Sequence, residues 1–268
     1  VGGRHGPGQT DASRGARAGG AGFVVEWLRR RERARGDQDI VNSLPNKFNI
    51  GVDKFINAAG TEFTANKYLL KSLNISGMRF KDVAINEFID WGVVYNHTSN
   101  SSGSSNRAEY QGVMGTYLFK GRVVVIDPLG GKLVIADTET ELTGKYKHLL
   151  NQPKYDFKFN NRKITTSVNI NKNRLDVIID TGANLNLVQP EVAQKLALRT
   201  QQCQLHVAGG NGCVMGMADL SIGRQRYGIY KMLIYPIAVE NIKVLLGYNS
   251  FDNRQLMFNF ANYSWRWH

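Results

Sequence analysis

The chain has 268 residues, 42% apolar and 21% charged, with only six prolines. This balance excludes fibrous and wholly disordered chains, and the length suits one large or two modest domains, of which two is the better reading. A formal charge of +12 would suggest nucleic acid or an anionic surface, but the excess is unevenly spread.

Residues 1–36 hold eight arginines (Arg4, Arg14, Arg17, Arg29, Arg30, Arg31, Arg33 and Arg35) against Asp11, Glu26 and Glu32. Residues 1–40 read as a basic Gly/Arg/Ala-rich tail, expected to be disordered apart from a short helix over Phe23–Arg35. No aromatic-interleaved platform or recognition motif accompanies this charge, so no specific nucleic acid partner is expected. The composition shifts near Ile40 to Asn/Lys/Ile-rich sequence, which leaves open whether residues 1–40 belong natively to the domain downstream.

From Phe48 the pattern becomes short apolar runs, rich in β-branched and aromatic residues and punctuated by Gly, Asn and Asp. Strands are expected over Asp82–Phe88, Arg122–Ile126, Leu133–Ala136, Ile164–Ile170, Leu175–Ile179, Met232–Ile237 and Leu256–Phe260. Pro190–Leu196 is the best helix, with proline where a first helical turn tolerates it. The Ser/Asn-rich stretch Asn96–Asn106 reads as an exposed loop, and its Asn96-His97-Thr98 and Asn100-Ser101-Ser102 fit a glycosylation pattern that matters only on a eukaryotic secretory route. No run approaches the roughly 18 apolar residues of a membrane span, and no signal peptide is visible.

Self-similarity is the most informative feature of the chain. Val113–Arg122 lines up with Leu245–Arg254, and each copy runs on into an apolar strand. Upstream, Leu73-Asn74-Ile75-Ser76-Gly77 is similar to Leu220-Ser221-Ile222-Gly223. Two related lobes are therefore expected, an incomplete one over 48–140 and a second over 155–268.

The chemistry centres on Leu175–Ile179, a buried-strand signal that runs straight into Asp180-Thr181-Gly182-Ala183. Asp-Thr-Gly alone is an ordinary turn sequence. Placed at the end of an apolar strand, however, it suits hydrolysis by paired aspartates: two carboxylates about 3 Å apart share one proton, one acting as base on a water and the other as acid toward the scissile carbonyl. Gly182 leaves room for a close backbone approach, and the Thr181 hydroxyl can lock two such loops together. His206, Cys203 and Cys213 provide too few ligands for a metal, and the two cysteines flank a hairpin that a disulfide could cross.

On these residues, about 163–260 resembles the aspartic peptidase clan that contains retropepsins and the pepsin lobes. The carrying motifs are Ile178-Ile179-Asp180-Thr181-Gly182-Ala183, the Gly-rich stretch Val207–Met217 and Val244-Leu245-Leu246-Gly247, in that order. Gly115, Phe119, Ile126 and Asp127 extend the likeness, more weakly, to bacterial two-lobe relatives.

The resemblance implies a mostly-β acid protease fold of the pepsin/retropepsin kind, bilobal, with curled barrel-like sheets and an incomplete first lobe. It implies an aspartic endopeptidase with Asp180 as catalytic carboxylate, Thr181, Gly182 and Ala183 as its supporting loop, and Val207, Gly209, Gly210, Asn211 and Gly212 in a substrate-covering flap. It further implies a polypeptide substrate, no cofactor or metal, and a periplasmic or exported location.

One departure stands out. Asp180 lies 40 residues before Leu220, and the same count back from Leu73 reaches Arg33, where no Asp-Thr-Gly occurs. Three arrangements are open: a truncated or altered N-terminus, a degenerate scaffold lobe in a non-catalytic peptide-binding protein, or a homodimer pairing two Asp180 loops.

Overall fold

In this computed structural model the described residues are 10–13, 44–56, 62–75, 78–87, 115–142, 144–160, 163–183, 185–207, 210–237 and 243–268, with backbone alone at 10–13, 55–56, 63, 204–207 and 210–212. The expected helix Phe23–Arg35, the Asn96–Asn106 loop and Gly209 lie outside them.

The fold is mostly β. Its first half gives β1 (Thr10–Ser13), a meander of β2 (Lys47–Ile56), β3 (Glu62–Ile75) and β4 (Met78–Asn86), then the hairpin β5 (Val123–Asp127) and β6 (Lys132–Ala136). Next come β7 (Tyr155–Asp156), β8 (Lys158–Asn160), β9 (Lys163–Ile170), β10 (Asn173–Ile179) and β11 (Asn186–Val188). The helix α1 (Pro190–Lys195), the one α-helix among the described residues, leads into β12 (Arg199–Val207), β13 (Gly210–Ile222) and β14 (Gln225–Ile234), and β15 (Val244–Leu246), β16 (Leu256–Asn259) and β17 (Ser264–Trp267) close the chain.

Local chemistry accounts for these elements. Ile164, Thr166, Val168 and Ile170 alternate into the core along β9, while β5 is buried on both faces and reads as an unbroken apolar run. Asn171 and Lys172 both take positive φ, 47° and 68°, which gives the two-residue turn whose twist matches the β9–β10 hairpin. The strand expected at Met232–Ile237 instead runs Gln225–Ile234 and stops before Pro236, which has no N–H to offer a ladder. Likewise the strand expected at Asp82–Phe88 begins earlier, at Met78.

One six-stranded sheet, ordered β1-β6-β5-β16-β17-β7, draws strands from both ends of the chain. Arg122 and Arg254, matched by the repeat, are 132 residues apart, and the same offset takes Val124, Val125 and Ile126 to Leu256, Met257 and Phe258. The β5–β16 register opposes Val124 to Phe258, Val125 to Met257 and Ile126 to Leu256, so the pairing is symmetric about its own centre. Side chains follow the same symmetry: the Arg122 guanidinium lies 4.5 Å from the Phe80 ring centroid, and that of Arg254 lies 4.2 Å from Tyr227. Within the segment expected to be a tail, Thr10–Ser13 pair with β6 as Tyr155–Asp156 pair with β17.

An eight-stranded sheet, β12-β13-β14-β11-β15-β10-β9-β8, carries the Asp180 region. A single apolar cluster runs from Phe80, Phe119 and Val124 to Val177, Leu246, Phe258 and Trp265, so both halves share one core.

Candidate active site

Asp180 begins the turn that leaves β10. Ile178 and Ile179 pair in parallel with Leu245 and Leu246 of β15, and β11 runs antiparallel along the same β15, with Leu187 opposite Leu245. The chain therefore leaves β15 on one side, turns through Asp180–Ala183 and returns on its other side. The Asp180 N–H donates to the Leu246 carbonyl at 2.9 Å, and the Tyr248 N–H to the Ala183 carbonyl at 2.6 Å, so the turn is held from both ends.

Asn186 fastens the loop from below. Fully buried, it donates through Nδ2 to the Lys231 carbonyl (3.1 Å), while its Oδ1 accepts from the Gly247 N–H (2.8 Å) and the Ser250 hydroxyl (2.7 Å). Sequence reasoning did not single it out; the available signal was a lone amide inside the apolar run Leu185-Asn186-Leu187-Val188. Gly247 is demanded by space: a Cβ there would lie 2.4 Å from the Leu185 carbonyl oxygen and 2.6 Å from that of Ala183.

The electrostatics single out Asp180. Burial pushes its carboxyl up from an ordinary 3.8 to about 6, against the opposing pull of the Gly182 and Ala183 amides and the Lys163 ammonium. Gly182 N–H donates to Asp180 Oδ1 at 2.9 Å. Thr181 and Gly182 are buried and Ala183 is half-buried, so the four predicted loop residues come together in one turn. Asp127, read as a strand-end residue, ends β5 with its carboxylate buried. Burial pushes that carboxyl up, but Lys145, the Gly130 amide and Tyr146 outweigh it and hold it below its ordinary value.

The stretch expected as a flap is a hairpin. β12 pairs with β13, with Val207 opposite Gly210, His206 opposite Asn211 and Cys203 opposite Cys213, and a bulge between Cys203 and His206. Cys203 and Cys213 form a disulfide with their Cα atoms 5.2 Å apart. Gly210, Asn211 and Gly212 lie in β13 beside the tip. Among the described residues no group of three or more His, Cys, Asp or Glu could hold a metal, and no helix is long and apolar enough to cross a membrane.

Residues 166–250 match a family model described as aspartyl protease. No curated protein sequence matches the chain. Among solved structures it is similar to a retropepsin-like aspartic protease from Rickettsia conorii, with 20% identity over 36% of this chain and 74% of that one and a TM-score of 0.29. It is also similar to an aspartic proteinase from Irpex lacteus (9% identity, 96% of this chain and 88% of that one, TM-score 0.47). A third is the basic 7S globulin from soybean (10% identity, 81% and 71% covered, TM-score 0.44).

Proposed function

We propose that the chain, whose residues 166–250 match the aspartyl protease family model, is an aspartic endopeptidase in which Asp180 is one of two carboxylates that activate a water against a peptide bond. The observation that carries this reading is the Asp180 turn, which joins β10 to β11 around the end of β15, is held by Leu246 and Tyr248, and has its carboxyl raised to about 6. A carboxylic acid held near that value keeps a proton where an exposed aspartate would have lost it, which is what a proton-sharing pair needs. Thr181, Gly182 and Ala183 shape the turn. The hairpin bearing Val207, Gly209, Gly210, Asn211 and Gly212 covers an extended polypeptide and pairs with its backbone. No cofactor enters the chemistry.

The symmetric β5–β16 register supports a bilobal reading, with related barrel-like lobes over 48–140 and 155–268 around a common cleft. β16 is already paired with β5 of the same chain, so a homodimer through the Asp180 loop requires the first half to give up that place. The expected location is periplasmic or exported, where a disulfide persists.

A second reading, a non-catalytic peptide-binding protein with half of the dyad, is favoured by one observation: Arg33 stands where the repeat expects the other aspartate. Solution mass measured alongside cleavage of a mixed peptide library separates the two. Under the first reading the chain cleaves, a statine-type transition-state mimic blocks cleavage and Asp180→Asn abolishes it; undiminished cleavage by that variant would overturn the assignment. Under the second, a monomer binds extended peptides and cleaves none.

A further inference from the structure

The β9–β10 ladder presents two faces where it reaches the Asp180 turn. Ile164 and Ile179, opposite each other, point into the main core with Val177, whereas Ile178, opposite Thr165, packs on the other face with Leu187 and Leu245. Side chains alternate along a ladder, so one step further on Lys163 stands opposite Asp180, on the Ile178 face. Side chains directly opposed in this way have Cβ atoms about 4.5–5.5 Å apart. The electrostatics agree with that placement: burial raises the Asp180 carboxyl most, and the Lys163 ammonium is the one side-chain charge that pulls against it.

Lys163 is half-buried, and among the described residues no carboxylate forms an ion pair with it. Asp180 does not take it up, because its carboxyl accepts from the Gly182 and Ala183 amides instead. Its other ladder neighbours are neutral, Asn160 across on β8 and Thr165 two residues along β9. Asp176, further along β10, already has Ser167 and Lys158. A half-buried ammonium in this position has given up part of its hydration without gaining an anion in exchange. An anionic group brought alongside Asp180 is therefore favoured there.

An extended peptide advances about 3.3 Å per residue, so with its scissile bond at Asp180 the residues next to that bond pass within reach of Lys163. We propose that Lys163 is a specificity-determining residue of the Asp180 site: its ammonium selects polypeptides that carry an acidic side chain within about two residues of the bond to be cleaved. This names a substrate class for the aspartic peptidase reading and rests on that reading.

The test uses the full chain with paired peptide substrates, and paired statine-type peptides, in which each position within about two residues of the centre is in turn Glu or Gln. Assays run at about pH 5.5, where a Glu side chain of ordinary value about 4.3 is ionised and Asp180, raised to about 6, still holds its proton. At one or more positions the parent should favour Glu over its Gln isostere by roughly threefold to tenfold, in kcat/KM and in affinity for the statine-type peptide, the range of a partly buried ion pair. That preference should shrink as salt is added. Lys163→Gln should handle the two peptides alike, Lys163→Arg should keep the preference and Lys163→Glu should reverse it, a pattern that a merely structural lysine would not produce. A parent that treats Glu and Gln alike at every position would overturn the assignment, even if a variant failed to fold, and so would a preference that persists in Lys163→Gln. Cleavage undiminished in Asp180→Asn would defeat the peptidase reading instead, while the affinity ratio of the statine-type pairs would still report on Lys163.

Discussion

Asn186 and Asp180 are the side chains on which the site turns, for opposite reasons. Asn186 is fully buried with three hydrogen bonds that tie β11, β14 and the Gly247 corner together, so Asn186→Ala leaves buried partners unsatisfied. A loss of about 2–4 kcal/mol is expected in chemical denaturation, with kcat reduced in whatever fraction remains folded. Asp180 carries a stability cost. Below its ordinary 3.8 both folded and unfolded chains hold the proton; between 3.8 and about 6 the unfolded chain releases it while the folded chain keeps it, so stability falls as pH rises through that window and stays lower above it. Asp180→Asn should therefore be more stable than the parent at pH 7 by about 1–2 kcal/mol, a value discounted for partial exposure, and indistinguishable from it near pH 3; thermal unfolding at the two pH values checks this. Because hydrolysis needs a shared proton, kcat/KM should decline as pH rises through about 6.

At the scale of elements, the decisive arrangement is β15 lying between β10 and β11, parallel to one and antiparallel to the other. It requires the chain to cross closely at Gly247, whose N–H reaches Asn186 and whose missing Cβ makes room for two carbonyls. Gly247→Ala puts a methyl about where those oxygens sit, and the backbone must move to admit it. The expected outcome is a loss of at least about 3 kcal/mol or failure to fold, read by circular dichroism and thermal melting, whereas Ala at the open Gly115 should cost far less. The strand before the motif, Leu175–Ile179, was legible because its apolar run is long and ends in a turn sequence. The long hairpin β2–β3 was not: its strands mix Lys, Asn and Thr with apolar residues, and Phe48, Ile50 and Val52 are exposed, so periodicity marks no buried face.

Over the whole molecule, the β5–β16 pairing joins the two halves of the chain into one sheet and one core, and its symmetry has a testable consequence. A fragment 155–268 would leave the β16 edge bare where β5 sits. Since Val125 opposes Met257 at the centre of a symmetric register, a second fragment can take the place of β5, with Leu256 of each copy opposite Phe258 of the other. That pairing would bring two Asp180 turns together about a twofold axis. Sedimentation should show a dimer that cleaves peptides faster than the full chain; a monomeric fragment, or a dimer without cleavage, would count against the proposed pairing of carboxylates.

The mostly-β class, the Asp180 turn, helix α1 and the internal repeat are all legible from the amino-acid order, because each depends on short-range chemistry: alternation of apolar residues, turn residues, a proline at a helix start, and short segments that recur in the same order. It took the folded chain to reveal that Asn186 is the buried anchor, that Gly247 must lack a Cβ, and that the two repeats meet in one sheet. Those facts depend on residues tens of positions apart being forced into contact by burial, and no local pattern records which distant backbone will arrive beside a given side chain.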